Sequence, residues 1–155
     1  MADVYDVANF FLEKSSMSTK KLQKIVYYAY GWTLALLNED INNLQNKLFI
    51  NKIEAWVHGP VIPDLYQQYK DYGWADIPKK DESVSVVSMF NSDELDILNQ
   101  VWDVYGKYTA NELEWISHKE YPWINARKGI PVYSPSSNSI KDEDIFRFFI
   151  EQEEK

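Results

Sequence analysis

Residues 19–37 read TKKLQKIVYYAYGWTLALL, and this stretch sets the architecture of the chain. Its side chains follow helical spacing, and aromatic residues add apolar surface around the rest of the cylinder. A helix that is apolar on most sides is covered on most sides. The periodic residues are Leu22, Ile25, Val26, Ala29, Thr33, Leu36 and Leu37, and the aromatic ones are Tyr27, Tyr28, Tyr30 and Trp32. We therefore predict a mainly α fold with this second helix at its centre.

Start and stop signals outline the other helices. Serine, threonine and aspartate favour N-caps, proline favours the first turn, and glycine favours the position after the last turn. Starts are indicated at Asp3, Ser18, Pro63, Ser92, Thr109, Pro122 and Ser139, and ends at Gly73, Gly106, His118 and Gly129. Residues 38–52 are predicted to be irregular, with Leu48, Phe49 and Ile50 as anchors. At most a short β element is expected, around residues 83–88.

Length and composition indicate one globular domain over residues 1–155. A chain of 155 residues with 45% hydrophobic content buries roughly two-thirds of its unfolded surface. Six Trp and eleven Tyr exceed what such a core requires. These residue types are enriched in protein interfaces, so the excess has two readings, an aromatic core or a recognition surface.

The charge balance disfavours nucleic acid as a direct ligand. Net charge is −8, with 24 acidic and 16 basic residues, and Lys20, Lys21 and Lys24 are few enough to be a solvated helix face. The absence of cysteine excludes a thiol nucleophile and a thiolate metal site. No basic region precedes an apolar run at the N-terminus, and no stretch is apolar enough for a membrane span. We expect a cytoplasmic location.

Residues 54–66 read EAWVHGPVIPDLY, and their backbone path is largely dictated by sequence. Gly59 can adopt positive φ, while Pro60 and Pro63 fix φ near −65°. We expect Trp56 and His58 to point in defined directions. Beyond this bend, aromatic residues recur at three-residue spacing, at Tyr66, Tyr69 and Tyr72. One helical face packed on the core accounts for the first two, and the last is the better surface candidate.

His58 and His118 are the two histidines of the chain, which invites a metal or acid–base hypothesis. The HExxH spacing and a Cys/His cluster are both missing, and sequence cannot place a third orienting group. The structural interpretation is stronger. We expect the His58 ring to bond backbone near the Gly59–Pro60 bend, and His118 to cap the end of its helix. We assign no catalytic, metal-ligating or cofactor-binding residue.

Three stretches, in order, resemble the landmarks of a known family. They are LQKIVYYAYGW (22–32), EAWVHGPVIP (54–63) and SHKEYPW (117–123). Together they resemble the Panacea antitoxin domain, also called the SocA-like or phage-associated GepA-type family, over roughly residues 5–150. Small departures lie at Tyr30, Thr33, Ile116 and Ser117.

The resemblance implies an antitoxin that neutralises a cognate protein toxin, encoded by an adjacent gene, by direct binding. The family pairs with many unrelated toxins, so the toxin and the oligomeric state stay open. Glu54 is either a charge facing a basic toxin patch or a local partner of Lys52. The landmark residues that are candidates for partner binding are Tyr28, Trp32, Trp56, His58, Gly59, Pro60, Tyr66, Tyr72, His118, Pro122 and Trp123.

Three other functions remain open at this point. The chain could be an adaptor that delivers a client protein for proteolysis. It could be a small hydrolase using His58 and His118. It could also be a nucleic-acid-binding regulator, which the charge balance disfavours.

Overall fold

The computed structural model describes residues 2–82 and 85–155, and within them it is mainly α-helical, as predicted. The helices are α1 (Val4–Leu12), α2 (Thr19–Leu36), α3 (Pro63–Tyr69), α4 (Ser92–Tyr105), α5 (Ala110–Ser117), α6 (Tyr121–Ala126) and α7 (Asp142–Glu153). Two short strands, β1 (Glu54–Trp56) and β2 (Gly59–Val61), pair in antiparallel register with Ala55 opposite Pro60. The small sheet thus lies at the bend of residues 54–66.

Helix α2 is central, as its sequence predicts. It packs against α1, α3, α4, α5 and α7 and against strand β2. Its core-facing side chains are almost fully buried, and Gly31 allows α7 to approach closely, because a Cβ there would lie 2.6 Å from Cδ2 of Phe149. The helix is therefore the common surface on which the other elements are assembled.

Local hydrogen bonds confirm several helix starts. Asp3 caps α1 and Thr109 caps α5, each in a reciprocal capping box with the residue three positions later. The Ser18 side chain accepts a hydrogen bond from the backbone N–H of Lys21 and so caps α2. Pro63 occupies the first turn of α3. These starts depend only on neighbours within one turn.

Two predicted caps are wrong. Helix α4 is capped by Asn91 rather than Ser92, because the Asn91 side chain accepts from the N–H of Glu94 at 2.8 Å. Helix α7 has no side-chain cap, and Ser139 instead forms an isolated antiparallel bridge with Glu54. This bridge extends the hairpin on its β1 side, so the residue serves tertiary pairing and not the helix.

The segment between α2 and β1 is irregular, as expected. Leu48 and Phe49 are buried, but Ile50 is 85% exposed, so its predicted role as an anchor is wrong. Phe49 packs on Tyr30 with ring centroids 4.8 Å apart, and this leaves the next side chain facing solvent. Asn38 organises the loop by bonding the backbone of Asn46 through both ends of its amide.

The β element allowed around 83–88 is absent from the part of that stretch that the structure describes, residues 85–88. Residues 83 and 84 lie outside the described residues, and Val87–Met89 forms a 3-10 turn. None of the described helices combines the length and the apolar character needed to cross a bilayer.

Candidate functional site

The hairpin is fastened to α2 by two buried polar side chains. Gln23 donates through Nε2 to the carbonyl of Ile62 at 3.1 Å and accepts from the Ile62 N–H at 2.8 Å. Lys24 donates through Nζ to the carbonyl of Pro60 at 3.1 Å. Both side chains are buried, so these bonds replace hydration that the hairpin backbone has lost. The first landmark stretch therefore holds the second in position.

The third landmark stretch holds the hairpin from the other side. Trp123 donates through Nε1 to the carbonyl of Trp56 at 2.8 Å. Arg127, also buried, donates through Nη1 to the carbonyl of Ala55 at 2.9 Å, and its Nη2 bonds carbonyls of the following loop. Strand β1 is thus fixed by α6 and β2 by α2. Two stretches far apart in sequence thus converge on the short hairpin that the second landmark stretch forms.

Gly59 is required at the turn of this hairpin. Its φ is +111°, a conformation that other residues rarely adopt. A Cβ at this position would lie 2.6 Å from Cε of Lys24 and 2.9 Å from Oγ of Ser117. The glycine therefore permits both the turn and the close approach of the buried lysine.

Lys24 is an uncommon buried cation. It is 1% exposed, so the interpretation of residues 20, 21 and 24 as a solvated face is wrong for this side chain. Burial, with the nearby charge of Lys20, lowers the pKa of its ammonium group to about 7, and the charge of Glu114 opposes that shift. Its Nζ reaches the Pro60 carbonyl, which gives the buried ammonium group a hydrogen-bond acceptor.

A second ionisable group, the half-buried Glu120, links α2 to the third landmark. The Tyr28 hydroxyl donates to Oε1 of Glu120 at 3.0 Å, and the ring stacks on Tyr105 with centroids 4.2 Å apart. Burial raises the pKa of Glu120 to about 8, and the hydrogen bond from Tyr28 opposes this shift only in part. Trp32 donates through Nε1 to the Tyr105 hydroxyl at 2.9 Å. These residues hold the helices together beneath the surface.

The prediction that the His58 ring bonds the hairpin backbone is wrong. Its side chain is 71% exposed, and Nδ1 lies 3.2 Å from both carboxylate oxygens of Glu114, which also pairs with Lys20. Partial burial of Glu114 opposes its ionisation, but the hydrogen bonds and charges of Lys20 and His58 outweigh burial, so its pKa lies below the ordinary value. The ring thus lies at the surface and contacts a carboxylate of α5 instead of the hairpin backbone.

His118 occupies the C-cap position of α5, as predicted. The expectation that its ring bonds the free carbonyls of that helix is wrong. It stacks on Trp123 with centroids 4.1 Å apart and planes 18° from parallel. Burial lowers its pKa, while the charge of Glu114 and a backbone bond to Val57 act in the opposite direction. Within residues 2–82 and 85–155 no three His, Asp or Glu side chains converge as metal ligands.

The candidate residues from the sequence divide by exposure. Those that are buried are Tyr28, Gly59, Pro60, Pro122 and Trp123, those that are half-buried are Trp32, Trp56 and His118, and those that are exposed are His58, Tyr66 and Tyr72. Most of the candidate residues are therefore buried or half-buried, and they support the surface of the site more than they form it. The Glu54 carboxylate accepts a hydrogen bond from Trp56 Nε1 at 2.9 Å and lies 3.4 Å from the Lys52 ammonium group. The interpretation of Glu54 as a local partner of Lys52 is thus confirmed.

Two grooves flank Trp56, His58 and Val61. One has a volume of about 540 Å³ and continues over Glu54 and the loop at Pro135. The other, about 510 Å³, lies between the hairpin, α3 and the starts of α2 and α5. We name the second the α2 groove, and the residues that characterise it are Lys20, Trp56, Val61, Tyr66, Lys70 and Trp74.

Sequence reasoning missed the most exposed side chain of the α2 groove. Trp74 is 96% exposed, and it follows Gly73, whose φ of +57° ends the turn after α3. Gln23 and Arg127 were also missed as the residues that fasten the hairpin. A polar residue inside an otherwise apolar helix was the available signal for Gln23, whereas no periodicity marks Trp74.

The fold and this doubly fastened hairpin define a small, mainly α-helical module built around one buried helix. The chain belongs to the family described as "Antitoxin SocA-like, Panacea domain", whose model matches residues 22–124. That range contains all three landmark stretches and the residues that fasten the hairpin, except Arg127. The family description implies a toxin partner in general and suggests a role without catalysis.

No curated protein and no solved structure matches the chain.

Proposed function

We propose that this chain is the antitoxin of a toxin–antitoxin pair and that it acts in the cytoplasm. It binds its cognate toxin directly and blocks the toxin's active site or substrate channel. The observation that carries the proposal is the family match over residues 22–124. The toxin is the product of the neighbouring gene.

The exposed side chains support a role in protein binding. Large aromatic residues are enriched in interfaces and contribute most where water is excluded from them. Several lie on the surface of the described chain, namely Trp74, Trp115, Tyr121, Tyr133, Tyr66 and Tyr72. The net charge of −8 provides long-range steering toward a partner with a basic surface.

Co-expression tests the proposal. The product of the adjacent reading frame is expressed alone and together with this chain, and growth, co-purification and toxin activity in the purified mixture are measured. We expect growth arrest by that product alone, full growth with both, and a stable complex. A harmless neighbour, or arrest that persists in the presence of this chain, overturns the proposal.

The same system separates blocking from proteolytic delivery. Purified antitoxin inhibits purified toxin without protease if it acts by occlusion. A toxin whose level falls only when an energy-dependent protease is present, with no inhibition in the purified mixture, would assign the chain to delivery instead.

Glutamine at both histidines separates binding from hydrolysis. His58→Gln leaves an exposed side chain exposed, and His118→Gln removes the ring that stacks on Trp123. We expect the double variant His58→Gln/His118→Gln to neutralise the toxin while it remains folded. Loss of neutralisation in a folded double variant, together with turnover of a small molecule by the purified wild type, would support a hydrolase.

A further inference from the structure

The α2 groove has a charge opposite to that of the chain. Its lining includes Lys20, Lys24 and Lys70, and no aspartate or glutamate among the described residues lines it. The chain as a whole carries a net charge of −8. A local reversal of sign in a concave surface selects a partner group of negative charge.

Lys70 supplies the available charge in this groove. The ion pair between Lys20 and Glu114 offsets the first cation, and Lys24 is committed to the Pro60 carbonyl. Lys70 is exposed, and none of the four ion pairs found in the described part of the chain includes it. Its ammonium group therefore keeps its capacity to pair with a carboxylate.

Most of the remaining exposed lining of the groove is apolar and aromatic, beside polar side chains at Ser18, Thr19, Gln23, His58 and Asn111. Trp74 is 96% exposed, Tyr66 is 38% exposed, and Trp56 contacts Tyr66 edge to face with centroids 5.1 Å apart. The hydrogen bonds of Gln23 and Lys24 fix the hairpin wall, so this surface is formed before any partner arrives. A preformed aromatic cleft with one free cation fits an apolar side chain next to a carboxylate.

We propose that the α2 groove receives the toxin, through a toxin segment that inserts an apolar side chain against Trp74 and Tyr66 and places a carboxylate at Lys70. This inference rests on the proposed function. An acidic protein segment fits better than a nucleic acid strand, because one free lysine on a chain of net charge −8 gives little neutralisation of successive phosphates.

Matched surface variants test the groove in the full complex. Trp74→Ser and Lys70→Glu each change an exposed groove side chain, while Ile50→Ser and Lys128→Glu change an exposed apolar side chain and an exposed lysine outside it. Affinity for the co-purified product of the adjacent gene is measured by calorimetry. We expect each groove variant to weaken binding by about tenfold or more and each control to leave it unchanged.

A zero-length carbodiimide cross-link identifies the paired groups. The reagent joins a lysine amine to a carboxylate in direct contact, and mass spectrometry locates both residues. We expect a link from Lys70 to an aspartate or glutamate of the partner. Lys70→Arg should keep the complex and lose this link, and replacing the linked carboxylate by lysine should restore binding to Lys70→Glu.

The outcomes distinguish the two proposals. If the wild type neutralises the toxin and both groove variants bind it as well as the controls do, the groove assignment is overturned and the antitoxin role stands. If the wild type does not bind that product, the antitoxin role fails, and this inference fails with it. Salt-sensitive binding of a mixed-sequence DNA duplex that is lost in Lys70→Glu would assign the groove to phosphate instead.

Discussion

Trp123 Nε1 donates a hydrogen bond to the backbone carbonyl of Trp56 at a distance of 2.8 Å. The two residues lie 67 positions apart, and the bond joins α6 to the first strand of the hairpin. The Trp123 ring is buried and stacks on His118, so this donor has a fixed direction. The hairpin is thereby positioned from a helix that it does not follow in sequence.

Trp123→Phe tests the value of this bond. The variant keeps an aromatic ring against His118 but leaves the Trp56 carbonyl without its donor, which costs about 1–3 kcal/mol when the acceptor is buried. Trp56 is only half-buried, so we expect the lower part of that range in the free energy of unfolding, measured by urea denaturation. Trp115→Phe, at a 63% exposed position, is the control and should change little. Equal stability of the two variants would contradict the role given to the bond.

Gly59→Ala tests the tight turn of the hairpin. A residue with a Cβ is strained at φ +111°, and here the Cβ also meets Lys24 and Ser117. Gly129→Ala, where φ is +83° and no atom lies within 4 Å of the added Cβ, carries the backbone strain alone. Strain costs about 1–3 kcal/mol at either site.

We therefore expect Gly59→Ala to be the more destabilising of the two in thermal and urea unfolding. The difference between them measures the clash with Lys24 and Ser117. A loss at position 59 no larger than that at position 129 would mean that these side chains move aside freely.

The sequence predicted most of the local features of the fold and the central position of α2, and it missed the long-range hydrogen bonds. Asp3 and Thr109 bond groups three residues away, so their caps are visible in the sequence. Gln23 bonds Ile62 across 39 positions, and no local pattern encodes that partner. Lysine is seldom buried, so the sequence predicts that Lys24 is solvated. Its hydrogen bond to the Pro60 carbonyl appears only in the folded chain. The three landmark stretches were recognised, but the reason for their association is a set of contacts between them.

Lys24→Met tests how the buried ammonium group affects the pH dependence of the free energy of unfolding. The folded chain releases this proton above a pKa of about 7, whereas the unfolded chain holds it up to 10.5. Between these values the unfolded state binds more protons, so the wild type gains stability as pH rises, by at most about 1.4 kcal/mol per pH unit. Below pH 7 the penalty for the buried charge is fully present.

We expect urea unfolding of Lys24→Met to lack this rise. Lys70→Met removes an exposed lysine instead and should retain the wild-type slope. A slope that is the same in the wild type and in Lys24→Met would show that Lys24 titrates as it does in the unfolded chain.

Glu120→Gln tests the half-buried carboxyl group, whose effect on the pH dependence of stability has the opposite sign. The folded chain keeps this proton up to a pKa of about 8, whereas the unfolded chain releases it near 4.5. In that window the folded state binds more protons, so wild-type stability falls as pH rises from 4.5 to about 8, no more steeply than about 1.4 kcal/mol per pH unit. The glutamine oxygen still accepts from the Tyr28 hydroxyl, which separates the effect of charge from that of the hydrogen bond.

We expect the difference in unfolding free energy between Glu120→Gln and the wild type to grow in favour of the variant across this window. The control is Glu151→Gln, which removes an exposed carboxylate at the end of α7 and should follow the wild type. If Glu120→Gln instead lost stability relative to the wild type as pH rose, the carboxylate would be stabilised in its ionised form. The burial of Glu120 against Tyr28 would then not be the dominant influence on its proton.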